Sequence, residues 1–100
     1  MRILAIERQV AGVDETRFTP DLRIAEARRL WDLHQAGVVR ELYFHADDPM
    51  AVLVLECANA AEADTTLESL PMVTAGVIEF EVIPLRAYPG FGRLFATTYE

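Results

Sequence analysis

The sequence contains no lysine, and its nine basic residues are arginines scattered along the chain. Asp and Glu together number 16, so the formal net charge at pH 7 is −7. Proteins that bind nucleic acids normally carry a basic patch that neutralises phosphates, and this chain has no such stripe. We therefore expect no nucleic-acid partner. The acidic surface mainly favours solubility.

Cysteine and long uncharged runs are also scarce. The single cysteine, Cys57, excludes an internal disulfide framework and suits a reducing compartment. No stretch reaches the roughly 18 uncharged residues of a membrane-spanning helix, and Glu7 and Arg8 end the apolar N-terminus before it resembles a signal peptide. We expect a cytoplasmic protein with no membrane partner.

Apolar residues are abundant, at 52% of 100 residues. A chain of this length forms one domain, so residues 1–100 are interpreted as a single domain. Surplus apolar surface on a small domain usually lies in an oligomer interface or a ligand cavity. The composition therefore predicts self-association, as a homodimer or a higher oligomer, and a small-molecule pocket.

Apolar periodicity and capping signals predict the element order β, α, β, β, α, β. The predicted strands are Arg2–Gln9, Val38–Ala46, Met50–Cys57 and Val77–Leu85. The first helix is capped by Thr19 and stops at Gly37, while the second opens at Asn59 and ends before Pro71. Right-handed crossovers then give an α+β, ferredoxin-like fold, a four-stranded antiparallel sheet with both helices on one face.

Period-two alternation assigns the strand residues to the two faces of that sheet. The predicted helix-facing set is Leu4, Ile6, Leu42, Phe44, Leu53, Leu55, Ile78, Phe80 and Val82. The opposite set is Ile3, Ala5, Glu7, Val39, Glu41, Tyr43, His45, Val52, Val54, Glu56, Val77, Glu79, Glu81 and Ile83. This mixed face is too apolar for bulk water and too charged for a dry core, so it suits a cavity shared by two sheets.

The apolar arc of the first helix and the C-terminal segment complete the prediction. The arc predicted to pack on the sheet is Ile24, Ala27, Leu30, Trp31 and Leu33, which makes Trp31 a core residue. Segment 86–100 carries Tyr88, Phe91, Leu94, Phe95 and Tyr99. Such an apolar segment is seldom left exposed to solvent, so we expect it to dock on a partner subunit.

The chain resembles the muconolactone isomerase-like family of the dimeric α+β barrel superfamily. The resemblance covers roughly Leu30 to Pro89, and it is carried by Gly37-Val38-Val39-Arg40-Glu41-Leu42-Tyr43, Ala63, Leu67-Glu68-Ser69-Leu70-Pro71, Leu85 and Tyr88-Pro89. It implies two ferredoxin-like sheets paired face to face, with a pocket in each half-barrel. It also implies a cofactor-free isomerase that moves a proton on an unsaturated lactone.

The chain departs from that family's pattern at two places near the implied pocket. Tyr88 stands where the family often has a histidine before proline, and Val73-Thr74-Ala75-Gly76 is smaller and less aromatic than the matching segment. Both differences bear on the substrate and the reaction.

Isomerisation of a butenolide requires a base with a raised pKa, and a glutamate in an apolar cavity meets that need. Of the glutamates assigned to the mixed face, Glu7 and Glu56 lie on predicted central strands and are the candidate bases, with the choice between them open. Several anions cannot be buried together, because like charges repel in a low dielectric, so others lie at the rim or pair with arginine. A structural role is the alternative for each.

Further candidates assist these bases. Tyr43 and His45 share a predicted face and could relay protons, with a solvent-facing His45 as the alternative. Arg40 could clamp a substrate carboxylate or snorkel to the rim, while Glu41 and Glu79 are candidate substrate-binding residues. Cys57 is interpreted as an inert core thiol. The sequence shows no metal-ligand spacing and no phosphate or dinucleotide motif, so we expect no cofactor and no metal.

The leading hypothesis is a small cofactor-independent isomerase of a lactone or unsaturated acid, acting on its substrate by proton transfer. A cofactor-free monooxygenase of the same superfamily is the second hypothesis. The third is a non-catalytic dimer that binds a small molecule, because a pocket can persist after chemistry is lost.

Overall fold

The computed structural model describes residues 1–95 of the chain. Its strands are β1 (Arg2–Gln9), β2 (Val39–Phe44), β3 (Ala51–Glu56) and β4 (Ile78–Pro84). Its α-helices are α1 (Pro20–Gln35), α2 (Ala60–Glu68) and the short α3 (Pro71–Thr74), with 3-10 turns at Glu15–Arg17 and Gly90–Leu94. The predicted order is confirmed, whereas α3 and both 3-10 turns were not predicted.

The four strands form one sheet in the order β2-β3-β1-β4, and every neighbouring pair is antiparallel. Strands β1 and β3 are therefore central, as predicted for the strands of Glu7 and Glu56. The ferredoxin-like α+β fold is confirmed.

Side chains and one glycine set the helix ends where the sequence predicts them. The Thr19 hydroxyl accepts a hydrogen bond from the Leu22 N–H at 3.2 Å, and Pro20 follows as the first helical residue. Gly37 ends α1 with φ +78°, a conformation that costs glycine little. At α2, the Asn59 side chain accepts from the Glu62 N–H at 2.8 Å.

The predicted face of β1 is wrong. Ile3 and Ala5 are fully buried, and they lie opposite Leu55 and Leu53 of β3. Directly opposed residues share a face, so these four side chains together contact the helices. Glu7 belongs to the same side by alternation, whereas Leu4 and Ile6 lie on the other face.

An irregularity in β2 overturns a second assignment. Val39 lies opposite Leu55 and Leu42 lies opposite Leu53, with a register shift between Val39 and Glu41. One extra residue lets both Val39 and Leu42 face the helices, which strict alternation forbids. Val39 is 1% exposed rather than on the open face. Val77, also assigned there, is buried just before the first residue of β4, outside the paired strand.

Helix α1 is rotated relative to the predicted arc. Its two buried residues are Glu26 and Leu33, with Leu22 and Leu30 half-buried beside them. Ile24 and Trp31 are exposed by 59% and 62%, and Ala27 is exposed as well. The prediction that Trp31 packs in the core is therefore wrong, because the helix turns a face centred on Glu26 toward the sheet.

The sheet face away from the helices, the open face, has an apolar centre and a charged margin. Its centre consists of Leu4, Ile6, Val52, Val54 and Ile83, all half-buried. Ion pairs Arg2–Glu56 and Arg8–Glu81 and a hydrogen bond from Tyr43 to Glu41 lie around it.

The C-terminal segment is described as far as Phe95. Tyr88, Phe91, Leu94 and Phe95 are all exposed, and the Tyr88 and Phe91 rings meet edge to face at 5.1 Å. Tyr99, the last aromatic residue of the predicted docking tail, lies outside the described residues. Among the helices of residues 1–95, none is both long and apolar enough to cross a membrane.

Candidate functional site

The candidate site lies where β1 extends beyond the end of its pairing with β3. Strand β1 pairs with β4 as far as Gln9, opposite Ile78, but with β3 only as far as Ile6, opposite Val52. The unpaired side of β1 borders a depression of about 680 Å³, which we call the notch. The notch is lined by Glu7, Arg8, Gln9, Asp48, Pro49, Met50 and Glu79.

Glu7 fills the first unpaired position in the notch. Its carboxylate Oε1 accepts a hydrogen bond from the Ala51 N–H at 3.0 Å, where a strand partner's carbonyl would otherwise be. The side chain is half-buried, and this burial raises the pKa of Glu7. The Ala51 N–H and the charge of His45 lower that pKa by smaller amounts.

A second carboxylate, Glu26, approaches from α1. It is only 7% exposed, and its Oε1 accepts a hydrogen bond from the Met72 N–H at 3.0 Å. Burial raises the pKa of Glu26, and the negative charge of Glu7 raises it further. The charge of Glu7 thus acts on Glu26, and we call these two carboxylates the acid pair.

Because burial raises the pKa of both carboxyls, each keeps its proton to a higher pH than an exposed glutamate would. Two carboxylates that interact do not ionise independently, so the first proton leaves more easily than the second. Burial disfavours the form in which both carboxylates are ionised. Each carboxylate also accepts one backbone N–H bond, which stabilises it as an anion. A site that pairs an ionised and a protonated carboxyl group can take up one proton and give back another.

Glu26 was missing from the sequence-based candidates, although a signal for it exists. It lies four residues after Leu22, four before Leu30 and seven before Leu33, which places it within an apolar helical stripe. The prediction followed Ile24 and Trp31 instead. The predicted arc therefore left Glu26, the one acid inside the true stripe, without an assigned role.

Glu56, the other candidate base, occupies a different environment. It lies opposite Arg2 at the far end of β1, where both the N-terminal ammonium of Met1 and the Arg2 guanidinium contact its carboxylate. The Met1 ammonium lowers the pKa of Glu56, and the charges of Arg2 and Arg40 lower it further. The structure therefore does not bring Glu7 and Glu56 together.

The remaining predicted residues separate into two groups. His45 is near the notch without lining it, since its charge acts on Glu7 and its backbone N–H donates to the carbonyl of Met50, a lining residue, at 3.0 Å. Glu79 lines the same notch. Tyr43 lies on the open face, where its hydroxyl donates to Glu41 at 2.7 Å rather than to His45, and this bond raises the pKa of Tyr43.

Arg40 belongs with Glu56. Its charge lowers the pKa of Glu56, and its Nε donates to the Gly37 carbonyl at the end of α1. Cys57 is buried, and burial raises the pKa of its thiol. Within residues 1–95, no group of three or more His, Cys, Asp or Glu side chains is placed to hold a metal ion.

Comparisons with known proteins agree with this architecture. Residues 8–90 match the family model described as muconolactone delta-isomerase. The chain is also similar to a solved structure of muconolactone isomerase, with 19% identity, a TM-score of 0.72, and coverage of 100% of this chain and 98% of that one.

A second similar structure is 5-chloro-2-hydroxyhydroquinone dehydrochlorinase from Burkholderia phenoliruptrix AC1100, in complex with 2,5-dihydroxybenzoquinone. Here the identity is 18%, the TM-score 0.65, and the coverage 90% of this chain and 98% of that one. A comparison with curated proteins finds no match. The two structural likenesses show the fold, and the family match spans most of the sequence, from β1 to the C-terminal segment. The chain belongs to the muconolactone delta-isomerase family.

Proposed function

We propose that this protein is a cofactor-independent isomerase that moves a proton on an unsaturated lactone, with the Glu7–Glu26 acid pair as its proton carrier. The observation that carries the proposal is a nearly buried carboxylate, Glu26, that interacts electrostatically with Glu7 at the edge of an open notch. Family membership supports the reaction class.

The proposed step conserves every atom of the substrate. The ionised carboxylate of the pair removes a proton from a saturated ring carbon next to the conjugated system. The C–H electron pair enters that system and gives a dienolate, with its charge largely on the carbonyl oxygen. The protonated carboxyl then returns a proton to another carbon, the double bond moves, and the pair again holds one proton.

Glu7 is the proposed base, since it borders the notch directly, and Glu26 is the proposed proton reservoir behind it. His45 assists by stabilising the ionised form of Glu7. Glu79 is proposed to contact substrate. Glu56 remains the rival base, although its ion pairs favour a structural role, and we propose structural roles for Arg40, Glu41 and Tyr43 as well.

The open face is proposed to form the contact between two subunits. Its five central apolar side chains are only half-covered within one chain, and membership of the family favours self-association. The exposed aromatic residues of the C-terminal segment are proposed to dock on the partner as well. A pairing of two sheets would leave the helix-side acid pair within each subunit.

The experiment is solvent-deuterium incorporation into a panel of butenolides, muconolactone and its methyl ester among them, followed by NMR. Protein-dependent exchange or double-bond migration supports the proposal, with heat-inactivated protein as the control. A folded protein that exchanges no member of the panel would sink it. Oxygen uptake with an oxidisable aromatic compound would instead favour the monooxygenase alternative.

A further inference from the structure

The walls of the notch are strongly acidic. Three of its lining residues, Glu7, Asp48 and Glu79, carry carboxylates, and the basic residue among the lining set is Arg8. The Arg8 guanidinium already contacts the carboxylate of Glu81. Its charge is therefore offset before any ligand arrives.

Charges behind and around the notch have the same sign. Glu26, a nearly buried acid on α1, is close enough to Glu7 for the charge of Glu7 to act on it, and the whole chain carries a formal net charge of −7. A field of this sign lowers the local concentration of anions and slows their approach, most strongly at low ionic strength. A carboxylate on the substrate would enter the notch against three like charges, with one histidine, His45, acting in the opposite direction on Glu7.

From this charge pattern we infer that the substrate is uncharged: a neutral unsaturated lactone or a related cyclic enone, without a carboxylate near the reacting ring. The inference rests on the proposed function and specifies its substrate class. It separates this chain from an enzyme for lactones bearing a free acid, for which the notch would need a cation that is not already paired.

The test compares muconolactone with its methyl ester and its primary amide, which share the ring and the acidic C–H bond. The ester removes the negative charge, and the amide removes it while keeping the size of the carboxylate. Enzyme-catalysed deuterium exchange, divided by the buffer-catalysed rate for each compound, should give a kcat/KM at least tenfold higher for both neutral compounds. Rising salt should improve only the acid.

Two variants locate the cause. Glu79→Gln removes one wall charge and should narrow the preference for neutral compounds several-fold, whereas Glu68→Gln, an exposed acid on α2, should leave the ratio unchanged. Ligand-observed NMR titration of the same three compounds measures the preference without turnover.

The outcomes separate the two claims. Equal or better exchange of the free acid would overturn the neutral-substrate inference and leave the proposed function standing. Tighter NMR binding of the free acid would also overturn it. No exchange of any of the three compounds would remove the proposed function, and this inference with it.

Discussion

Carboxylates on the two sides of the sheet have different environments, which shift their pKa values in opposite directions. On the open face, Glu56 and Glu81 contact positive charges, and the pKa of Glu56 is held below its ordinary value. On the helix side, the hydrogen bonds that Glu7 and Glu26 accept within residues 1–95 come from backbone N–H groups, and burial raises the pKa of both. The same residue type thus has a lowered pKa on one side of the sheet and a raised pKa on the other, and the surroundings of each carboxylate decide which.

The difference also bears on how each side can serve function. Ion pairs at an exposed margin contribute little to the free energy of unfolding. They do keep the acids ionised, which makes those acids poor proton carriers. A desolvated carboxylate is less stable as an anion, which is the property a general base needs at neutral pH. The proposed function therefore places the base on the helix side, and the proposed subunit contact uses the open face.

Removing the acid pair should have the largest effect. Glu7→Gln and Glu26→Gln should each lower the rate of deuterium exchange by about 10² to 10⁴, the usual contribution of a general acid or base. Glutamine can still accept the bonds from Ala51 and Met72, so both variants should stay folded, as judged by circular dichroism. Glu68→Gln is the matched surface control.

Glu56→Gln discriminates between the two candidate bases. If activity collapses in Glu56→Gln while Glu7→Gln remains active, the base lies on the other side of the sheet. That result would contradict the assignment of the base to the helix side of the sheet.

A charge in the centre of the open face should dissociate the subunits. Val54→Asp places an anion beside Leu4 and Ile83, in the centre of the proposed contact, where burial without a counter-ion is costly. Light scattering at micromolar concentration should show the wild type as a dimer or larger and the variant at about the mass of one chain. A monomeric wild type would refute the open-face contact directly.

The two faces of α1 should differ strongly in their effect on stability. Leu33→Ala removes a buried side chain and should cost about 2–5 kcal/mol of unfolding free energy. Trp31→Ala changes an exposed side chain and should stay within about 0.5 kcal/mol. Urea denaturation measures both unfolding free energies. A large loss of stability in Trp31→Ala would instead support the predicted arc, in which Trp31 packs on the sheet.

The pH dependence of stability should show the smallest effect, with opposite signs on the two sides. Because the folded pKa of Glu7 and Glu26 is raised above 4.5, their contribution is fully present below pH 4.5 and is lost as the pH rises through the folded values. Glu56 has a lowered folded pKa, so its contribution is present above pH 4.5 and is lost as the pH falls.

Urea denaturation across this pH range tests the assignment by variant. Glu26→Gln should flatten the loss of stability on the alkaline side, and Glu56→Gln should flatten the loss on the acid side. The same curve for wild type and Glu26→Gln would contradict the raised pKa.

The element order was predictable because its signals are local. A hydroxyl cap at Thr19, a glycine at Gly37 and an amide cap at Asn59 each act within a few residues, and the structure places the helix ends there. Family membership was also accessible from the spacing of Gly37 to Tyr43 and from Leu70-Pro71.

The orientation of strands and helix was not predictable to the same degree. In β1, both Ile3/Ala5 and Leu4/Ile6 are apolar, so alternation cannot tell which pair is inside, and the pairing with β3 decides it. An irregularity in β2 cannot be seen in the sequence, yet it turns Val39 inward. The error in β1 placed Glu7 on the wrong face, and the wrong arc of α1 hid Glu26.

The measurement closest to the central claim is a carbon-13 NMR titration of the glutamate side-chain carboxyls. We expect Glu7 and Glu26 to titrate above the ordinary value of 4.5 and Glu56 to titrate below it. The pKa of Glu26 should fall when Glu7 is replaced by Gln. If Glu26 titrates at or below 4.5 and does not respond to Glu7→Gln, the two carboxylates are not a proton-sharing pair, and the proposed site is wrong.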